Sequence, residues 1–305
     1  MHGATQPDRV VLLRGAVQRA VLGKGRSSRG DSRRPRQCMA ATGQHQQDNY
    51  QGNTHARFQK KIMGITWLFD LDNTLHDALH AIFPAINVNM NRVIAQVLSE
   101  AGAPAAPADV DAARIAYWQR YGATLLGMVK HHQMRADTFL HEAHLFENLP
   151  TMIRAERGLA GLLRRLPGRK ILLTNAPQRY SQDVMRHLGL QRHFARHVAI
   201  ESMRVHGQLR PKPSRSMLRK LLAREGVHAR QCVLVEDTLM NLKSARVLGL
   251  RTVLVTQYLP LAQRVGPSTF IKRPAGIDVK VRSVKRLAGQ LHRLRSRLNL
   301  ADHDD

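Results

Sequence analysis

Two pairs of acidic residues stand at the ends of apolar runs that are typical of strands. Asp70 and Asp72 follow the run ITWLF, and Glu236 and Asp237 follow the run CVLV. In an open α/β sheet, ligands bind beyond the carboxyl ends of the strands, so we expect these four carboxylates to lie together. Neighbouring carboxylates repel one another unless a cation neutralises them. Because hard oxygen ligands suit magnesium, the pattern indicates a Mg²⁺ site.

A hydroxyl, an amide and a lysine are expected beside these acids. Thr174 and Asn175 end the run KILLTN, and Lys212 lies between Pro211 and Pro213, which limit its backbone freedom. A lysine and a hydroxyl beside Mg²⁺ form a receptor for a phosphoryl group. One carboxylate can attack phosphorus, and a second carboxylate two residues on can serve as general acid and then as base for water. The pattern therefore indicates phosphoryl transfer.

Short strands alternating with helices must position these residues. Continuous apolar runs occur at 65–70, 170–175, 232–237 and 251–256, as is typical of strands buried on both faces of a parallel sheet. The segments PQRYSQDVMRHLGL and PSRSMLRKLLAREGV have helical spacing and are closed by glycine. This order predicts an α/β fold with a doubly wound parallel sheet.

The interval between Asp70 and Thr174 breaks this alternation, since it holds several helical stretches and no convincing strand. We interpret it as an α-helical cap inserted after the first strand. Near the end of the chain, DVKVRSV predicts an edge strand and KRLAGQLHRLRSRL a basic helix. We therefore expect an α/β core in residues 62–77 and 156–290, a helical cap in 78–155, and a C-terminal tail in 291–305.

Four motifs, DLDNTL, LLTNA, RPKPS and VLVEDTLMNLKSA, follow one another along the chain. Their order and spacing resemble the signature motifs of haloacid dehalogenase superfamily phosphatases, over residues 65 to about 257. The resemblance implies a Rossmann-like core and a Mg²⁺-dependent phosphomonoester hydrolase that acts through an aspartyl-phosphate intermediate. It also implies that Thr174 and the amide of Asn175 hold phosphoryl oxygens.

The resemblance assigns a role to each charged residue of the motifs. Asp70 is the nucleophile and a metal ligand, and Lys212 neutralises the phosphate and the attacking carboxylate. Asp72 is the general acid and base and offers its backbone carbonyl to Mg²⁺. Asp237 completes the metal site, with Glu236 binding directly or through water. Dehalogenating members of the superfamily typically lack an acid at the position of Asp72, so carbon–halogen cleavage is disfavoured.

The predicted cap carries a finer resemblance. The segment YGATLLGMVKHHQMRADTFLHEAH is similar to the cap of the pyrimidine 5′-nucleotidase branch, in which five residues recur: Tyr121, Gly122, Gly127, His132 and His144. This implies a pyrimidine nucleoside 5′-monophosphate as substrate, with Tyr121 and His132 among the substrate-binding residues. A phosphatase or phosphomutase for a sugar phosphate or pyridoxal phosphate is the alternative. Tyr117, Trp118 and Tyr121 could line a base-stacking surface or pack between cap helices.

The net charge of +26 at pH 7 is the unusual feature of the composition, and it is densest towards the ends of the chain. Residues 1–61 hold 12 Lys and Arg against three Asp and show little periodicity, which is typical of disorder. Three interpretations compete for this basic extension: a nucleic-acid-binding arm, an Arg-rich targeting segment, and a start site assigned too early. We favour the last, because Met63 directly precedes the first strand.

Cellular setting and partners follow from the same composition. No apolar stretch reaches the length of a membrane span, and Cys38 and Cys232 are too few and too far apart for a disulfide framework. These features predict a cytoplasmic protein. A second class of function is a nucleic-acid-associated protein that binds through its basic tails. The intact motif carboxylates and lysine argue against a vestigial site, so we do not favour it.

Purely structural roles remain alternatives for the singled-out residues. Each acidic pair, and Thr174 with Asn175, could form a turn or cap the following helix. Four histidines have the spacing of a transition-metal site on a helix: His131, His132, His141 and His144. Solvated or hydrogen-bonded histidines are the commoner reason for such a pattern.

Overall fold

The structure is a computed structural model that describes residues 64–259 and 273–295. The predicted basic extension, 1–61, lies outside these residues, as does the end of the predicted tail beyond residue 295.

Eight strands are present in the described residues: β1 (Thr66–Phe69), β2 (Arg169–Leu173), β3 (Arg196–Val198), β4 (Arg204–Val205), β5 (Gln208–Leu209), β6 (Cys232–Glu236), β7 (Arg251–Val255) and β8 (Val279–Val281). Six of them form one parallel sheet in the order β3-β2-β1-β6-β7-β8, and β4 pairs with β5 in an antiparallel hairpin. The predicted α/β fold with a doubly wound parallel sheet is confirmed.

Ten α-helices accompany the strands in the described residues: α1 (Ile82–Glu100), α2 (Pro107–Tyr121), α3 (Thr124–His132), α4 (Ala136–Ala143), α5 (Leu149–Met152), α6 (Leu159–Arg165), α7 (Gln178–His187), α8 (Arg215–Glu225), α9 (Leu239–Val247) and α10 (Leu291–Arg295). None of the helices in this part of the chain is long and apolar enough to cross a membrane.

Successive side chains of a strand point to opposite faces of the sheet, and helices cover both faces. Both sets of side chains are therefore buried. Trp67 and Phe69 of β1 pack on one face with residues of α6 and α7, whereas Leu68 packs on the other with residues of α8 and α9. The indole of Trp67 also donates a hydrogen bond to the carbonyl of Pro167 (2.7 Å). Burial of whole apolar runs is what fixes β1 in the middle of the sheet.

The helices α1 to α4 have a hydrophobic core of their own. It includes Ile94, Met128 and Phe139, and Ile200, which follows β3, packs into it from the sheet side. The chain enters and leaves this helical region side by side, since the amide of Asp77 donates to the carbonyl of Arg154 (2.7 Å). The helical region is therefore inserted at one point of the α/β structure.

The C-terminal part of the described chain packs against the sheet. Among the described strands, β8 pairs with β7 alone and is the edge strand expected there. A 3₁₀ helix, Val284–Gln290, and α10 follow it, and Leu294 is buried in the same core as Trp67. An apolar residue of α10, just beyond the predicted boundary at residue 290, thus packs with the core, and the boundary itself stays a prediction.

Candidate active site

Three strand ends bring the motif residues to one edge of the sheet. Asp70 follows β1, and its amide donates to the carbonyl of Val235 in β6 (3.0 Å). Thr174 follows β2, and its amide donates to the carbonyl of Val198 in β3 (3.0 Å). Glu236 is the last residue of β6. Continued hydrogen bonding between neighbouring strands thus carries these side chains to the carboxyl edge, where ligands of such sheets bind.

Lys212 is the buried cation at the centre of this edge. Its ammonium group donates to Asp70 Oδ1 (2.6 Å) and to Glu236 Oε2 (2.7 Å). The side chain of Asn175 fixes the backbone of Lys212, since its Nδ2 donates to the lysine carbonyl (3.0 Å) and its Oδ1 accepts from the lysine amide (2.9 Å). Burial alone would lower the pKa of Lys212, but the two carboxylates outweigh it and raise that pKa.

Three carboxylates converge beside this lysine. One oxygen each of Asp70, Glu236 and Asp237 lies within 4.8 Å of the others. Burial, followed by the charge of Glu236, raises the pKa of Asp70 and that of Asp237 well above the usual range. One lysine cannot neutralise three carboxylates, and an oxygen-only donor set of this kind fits a hard cation such as Mg²⁺. Among the described residues, no other group of at least three acids, histidines or cysteines has such a geometry.

Asp72 has a different environment from the other acids. Its Oδ1 accepts a hydrogen bond from the Tyr180 hydroxyl (2.7 Å) and lies 2.8 Å from Nε2 of the buried His76. Burial would raise the pKa of Asp72, but these hydrogen bonds lower it overall. Neither His76 nor Tyr180 was singled out in the sequence. His76 has only its spacing of four residues from Asp72 as a signal, and Tyr180 lies 108 residues away.

A cavity of about 460 Å³ opens between the strand ends and the inserted helices. Its floor includes Asp70, Asp72, Thr174, Asn175, Lys212, Glu236 and Asp237. Its roof is mainly apolar, with the rings of Phe139 and Trp118 and the amide of Asn87. Trp118 is 57% exposed, so it is available to a ligand and is not a packing residue of the helical core.

Two of the predicted substrate-binding residues do not line this cavity. The Tyr121 hydroxyl is 2.6 Å from His131 Nε2, and the Tyr117 hydroxyl is 2.7 Å from His132 Nε2. Tyr117 also stacks on His131, so these four residues form a ring cluster between α2 and α3. The polar atoms of Tyr121 and His132 are paired within this cluster, and their assignment to substrate binding stays a prediction. His144, which belonged to the same resemblance, does line the cavity.

The motif polar residues also have structural contacts. Thr174 Oγ1 accepts from the amide of Ala176 (3.1 Å), and Glu236 Oε1 accepts from the amide of Thr238 (3.2 Å). These are the turn-forming roles considered for the sequence, and they leave the side chains facing the cavity. Structural and chemical roles therefore coincide at these positions.

A family model described as haloacid dehalogenase-like hydrolase matches residues 66–249. A HAD phosphatase from Thermococcus onnurineus is similar in structure, with a TM-score of 0.51 and 15% identity over 74% of this chain and 97% of that chain. A haloacid dehalogenase-like protein of unknown function from Agrobacterium tumefaciens has a TM-score of 0.47 and 19% identity over 75% and 98%. Among curated proteins, none matches the chain significantly.

Proposed function

This chain belongs to the haloacid dehalogenase-like hydrolase family, and we propose that it hydrolyses phosphate monoesters through an aspartyl-phosphate formed on Asp70. The observation that carries the proposal is the pair of hydrogen bonds from Lys212 to Asp70 and Glu236, beside Asp237 at the floor of an open cavity. A buried lysine joined to a carboxylate at a strand end can accept a phosphoryl group and hold its charge.

The residues of the floor divide the chemistry among them. Asp70 attacks phosphorus, while Lys212 offsets the charge of the carboxylate and of the phosphoryl oxygens. Asp72 gives a proton to the leaving oxygen as the P–O bond breaks, and it later takes a proton from the water that releases phosphate. Asp70, the carbonyl of Asp72, Asp237 and Glu236, directly or through water, would hold Mg²⁺. The ion would supply positive charge to the phosphoryl oxygens.

Thr174 and the backbone amide of Asn175 are proposed to hold the phosphoryl oxygens. Thr174 is buried and faces the cavity, so its hydroxyl is within the site. The side-chain amide of Asn175 is already bonded to the backbone of Lys212, which leaves the main-chain amide for the substrate. Asn175 would thus position the lysine and bind substrate through different atoms.

We propose a nucleoside 5′-monophosphate, in particular a pyrimidine one, as the substrate. The roof offers the ring of Trp118 to stack on a flat base and the amide of Asn87 to hydrogen-bond with its edge. The side-by-side connections at Asp77 and Arg154 support residues 78–155 as the cap that carries these contacts. A cytoplasmic location suits such a substrate and the sparse cysteines.

Phosphate release in the presence of Mg²⁺ tests this function. UMP, CMP, dUMP, dTMP, AMP, GMP, pyridoxal phosphate and several sugar phosphates form the panel, with Asp70→Asn as the matched variant. We expect pyrimidine-selective turnover in the native chain and a loss of at least about 10³-fold in the variant. Turnover of sugar phosphates alone would contradict the proposed substrate and keep the chemistry. Full turnover by Asp70→Asn would overturn the mechanism.

A further inference from the structure

One oxygen of Asp72 is held by two groups outside the four motifs. Tyr180 donates its hydroxyl hydrogen to Oδ1, and Nε2 of His76 is within hydrogen-bonding distance of the same oxygen (2.7 and 2.8 Å). Within the described part of the chain, no hydrogen bond reaches Oδ2. Asp72 lines the cavity, so its free oxygen is the one left for a ligand.

The tautomer of His76 follows from its burial. The ring is fully buried, and its Nδ1 has no hydrogen-bond partner among the described residues. A proton on Nδ1 would bury an unpaired donor, which is costly. We therefore assign the proton to Nε2, from which His76 donates to Asp72. His76 and Tyr180 then both donate hydrogen bonds to Oδ1, and neither of them occupies Oδ2.

Tyr180 is held firmly in this position. The residue is 3% exposed, and its ring packs against the rings of His144 and Phe146, with centroid separations of 5.3 and 5.7 Å. Because packing fixes the ring, the position of the hydroxyl is fixed as well. The hydroxyl can therefore select one orientation of the Asp72 carboxyl group.

We propose that Tyr180 and His76 are positioning residues that hold Oδ1 of Asp72, so that Oδ2 exchanges protons with the substrate. This inference rests on the proposed phosphatase function. In phosphoenzyme formation, the proton on Oδ2 passes to the leaving oxygen as the P–O bond breaks, and Asp72 becomes a carboxylate. The two donors on Oδ1 stabilise that carboxylate without moving, as preorganised groups do.

Leaving-group dependence distinguishes this role from a structural one. An alkoxide needs a proton as it leaves, whereas p-nitrophenolate leaves without one. The measured quantity is kcat/KM for phosphate release from p-nitrophenyl phosphate and from UMP, or from the alkyl phosphate of the panel that is turned over fastest. We expect Tyr180→Phe to lower kcat/KM at least tenfold for the alkyl ester and less than threefold for the aryl ester. A loss of about tenfold corresponds to losing part of the contribution of general acid catalysis.

Ser181→Ala is the matched control on the same helix. Ser181 is buried like Tyr180, and its substitution also removes one hydroxyl. That hydroxyl contacts Pro177 and His197 and not Asp72. We expect the ratio of the two kcat/KM values to stay as in the native chain. His76→Gln, which keeps an N–H donor, should recover more alkyl-ester activity than His76→Leu.

A double-variant comparison completes the test. In the Asp72→Asn background, adding Tyr180→Phe should change alkyl-ester turnover less than twofold, since the group to be positioned is gone. Equal losses for both esters, or a further tenfold loss in that background, would overturn the positioning role while the phosphatase function stands. Absence of phosphate release by the native chain from every ester would overturn both proposals.

Discussion

At the scale of single residues, the excess of negative charge beside Lys212 predicts that Asp237→Asn has opposite effects on thermal stability with and without metal. Burial and Glu236 raise the pKa of Asp237, so at pH 7 its ionised form opposes folding when no cation is present. We expect Asp237→Asn to melt a few degrees above the native chain in EDTA. In MgCl₂ at about 100 times the dissociation constant, the native chain should gain roughly 5–10 °C and the variant much less.

Thermal unfolding followed by circular dichroism measures both effects. Asp183→Asn is the control, because Asp183 forms an ion pair with Arg186 on the surface (2.6 Å), where ion pairs contribute little. It should match the native chain in both buffers. An equal gain from MgCl₂ in Asp237→Asn and the native chain would exclude Asp237 as a ligand.

Residue types predicted the floor of the site but not the residues that support Asp72 from behind. Asp70, Lys212 and Glu236 carry charges whose burial demands partners, and the order of strands brings them together, so their proximity could be predicted. Tyr180 has no such signal. Its contact with Asp72 depends on how α7 is rotated against the loop after β1, which packing determines and spacing does not.

At the scale of elements, the close approach of α2 and α3 depends on a glycine. A Cβ atom on Gly127 would lie 2.2 Å from Cγ of Tyr117, so the two helices would have to move apart. We expect Gly127→Ala to destabilise the protein by about 1–3 kcal/mol, as overpacking does. Urea unfolding measures this change in the free energy of unfolding.

Gly161→Ala in α6 is the matched comparison. There the nearest atom to a new Cβ is Nη1 of Arg165, at 3.5 Å, so alanine has room. It should stabilise the protein by about 0.5–1 kcal/mol through helix propensity alone. If Gly127→Ala stabilises the protein as Gly161→Ala is expected to do, the close approach at Gly127 has no energetic consequence.

Helix phase explains why the residues of the inserted region were harder to predict than those of the sheet. Successive residues of a helix differ by about 100° in direction, so Tyr117 and Tyr121 share one face while Trp118 points elsewhere. The resemblance selected Tyr121 and His132, but they are paired in the ring cluster with Tyr117 and His131. Spacing alone could not predict which face of this segment meets the cavity, because packing between helices selects it.

At the scale of the whole molecule, the charge of +26 and the phosphatase site make separable predictions. Removing residues 1–61 takes away 12 basic and three acidic residues and leaves a net charge of +17. The described residues that form the floor of the cavity all lie between Asp70 and Asp237 in the sequence. We therefore expect kcat/KM for the best phosphate ester to change less than twofold, whereas retention on single-stranded polynucleotide should weaken and show a smaller salt dependence.

The two readouts together decide what the basic extension is. Phosphate release and polynucleotide binding are to be measured on the same preparations across a salt series, with Lys130→Gln, an exposed residue of α3, as a control for loss of a single charge. A large loss of ester turnover on truncation would make the extension part of the enzyme and contradict a start site assigned too early. Unchanged polynucleotide binding would assign that binding to the rest of the chain. Weakened binding with full turnover is the result we expect if the described residues alone form the site.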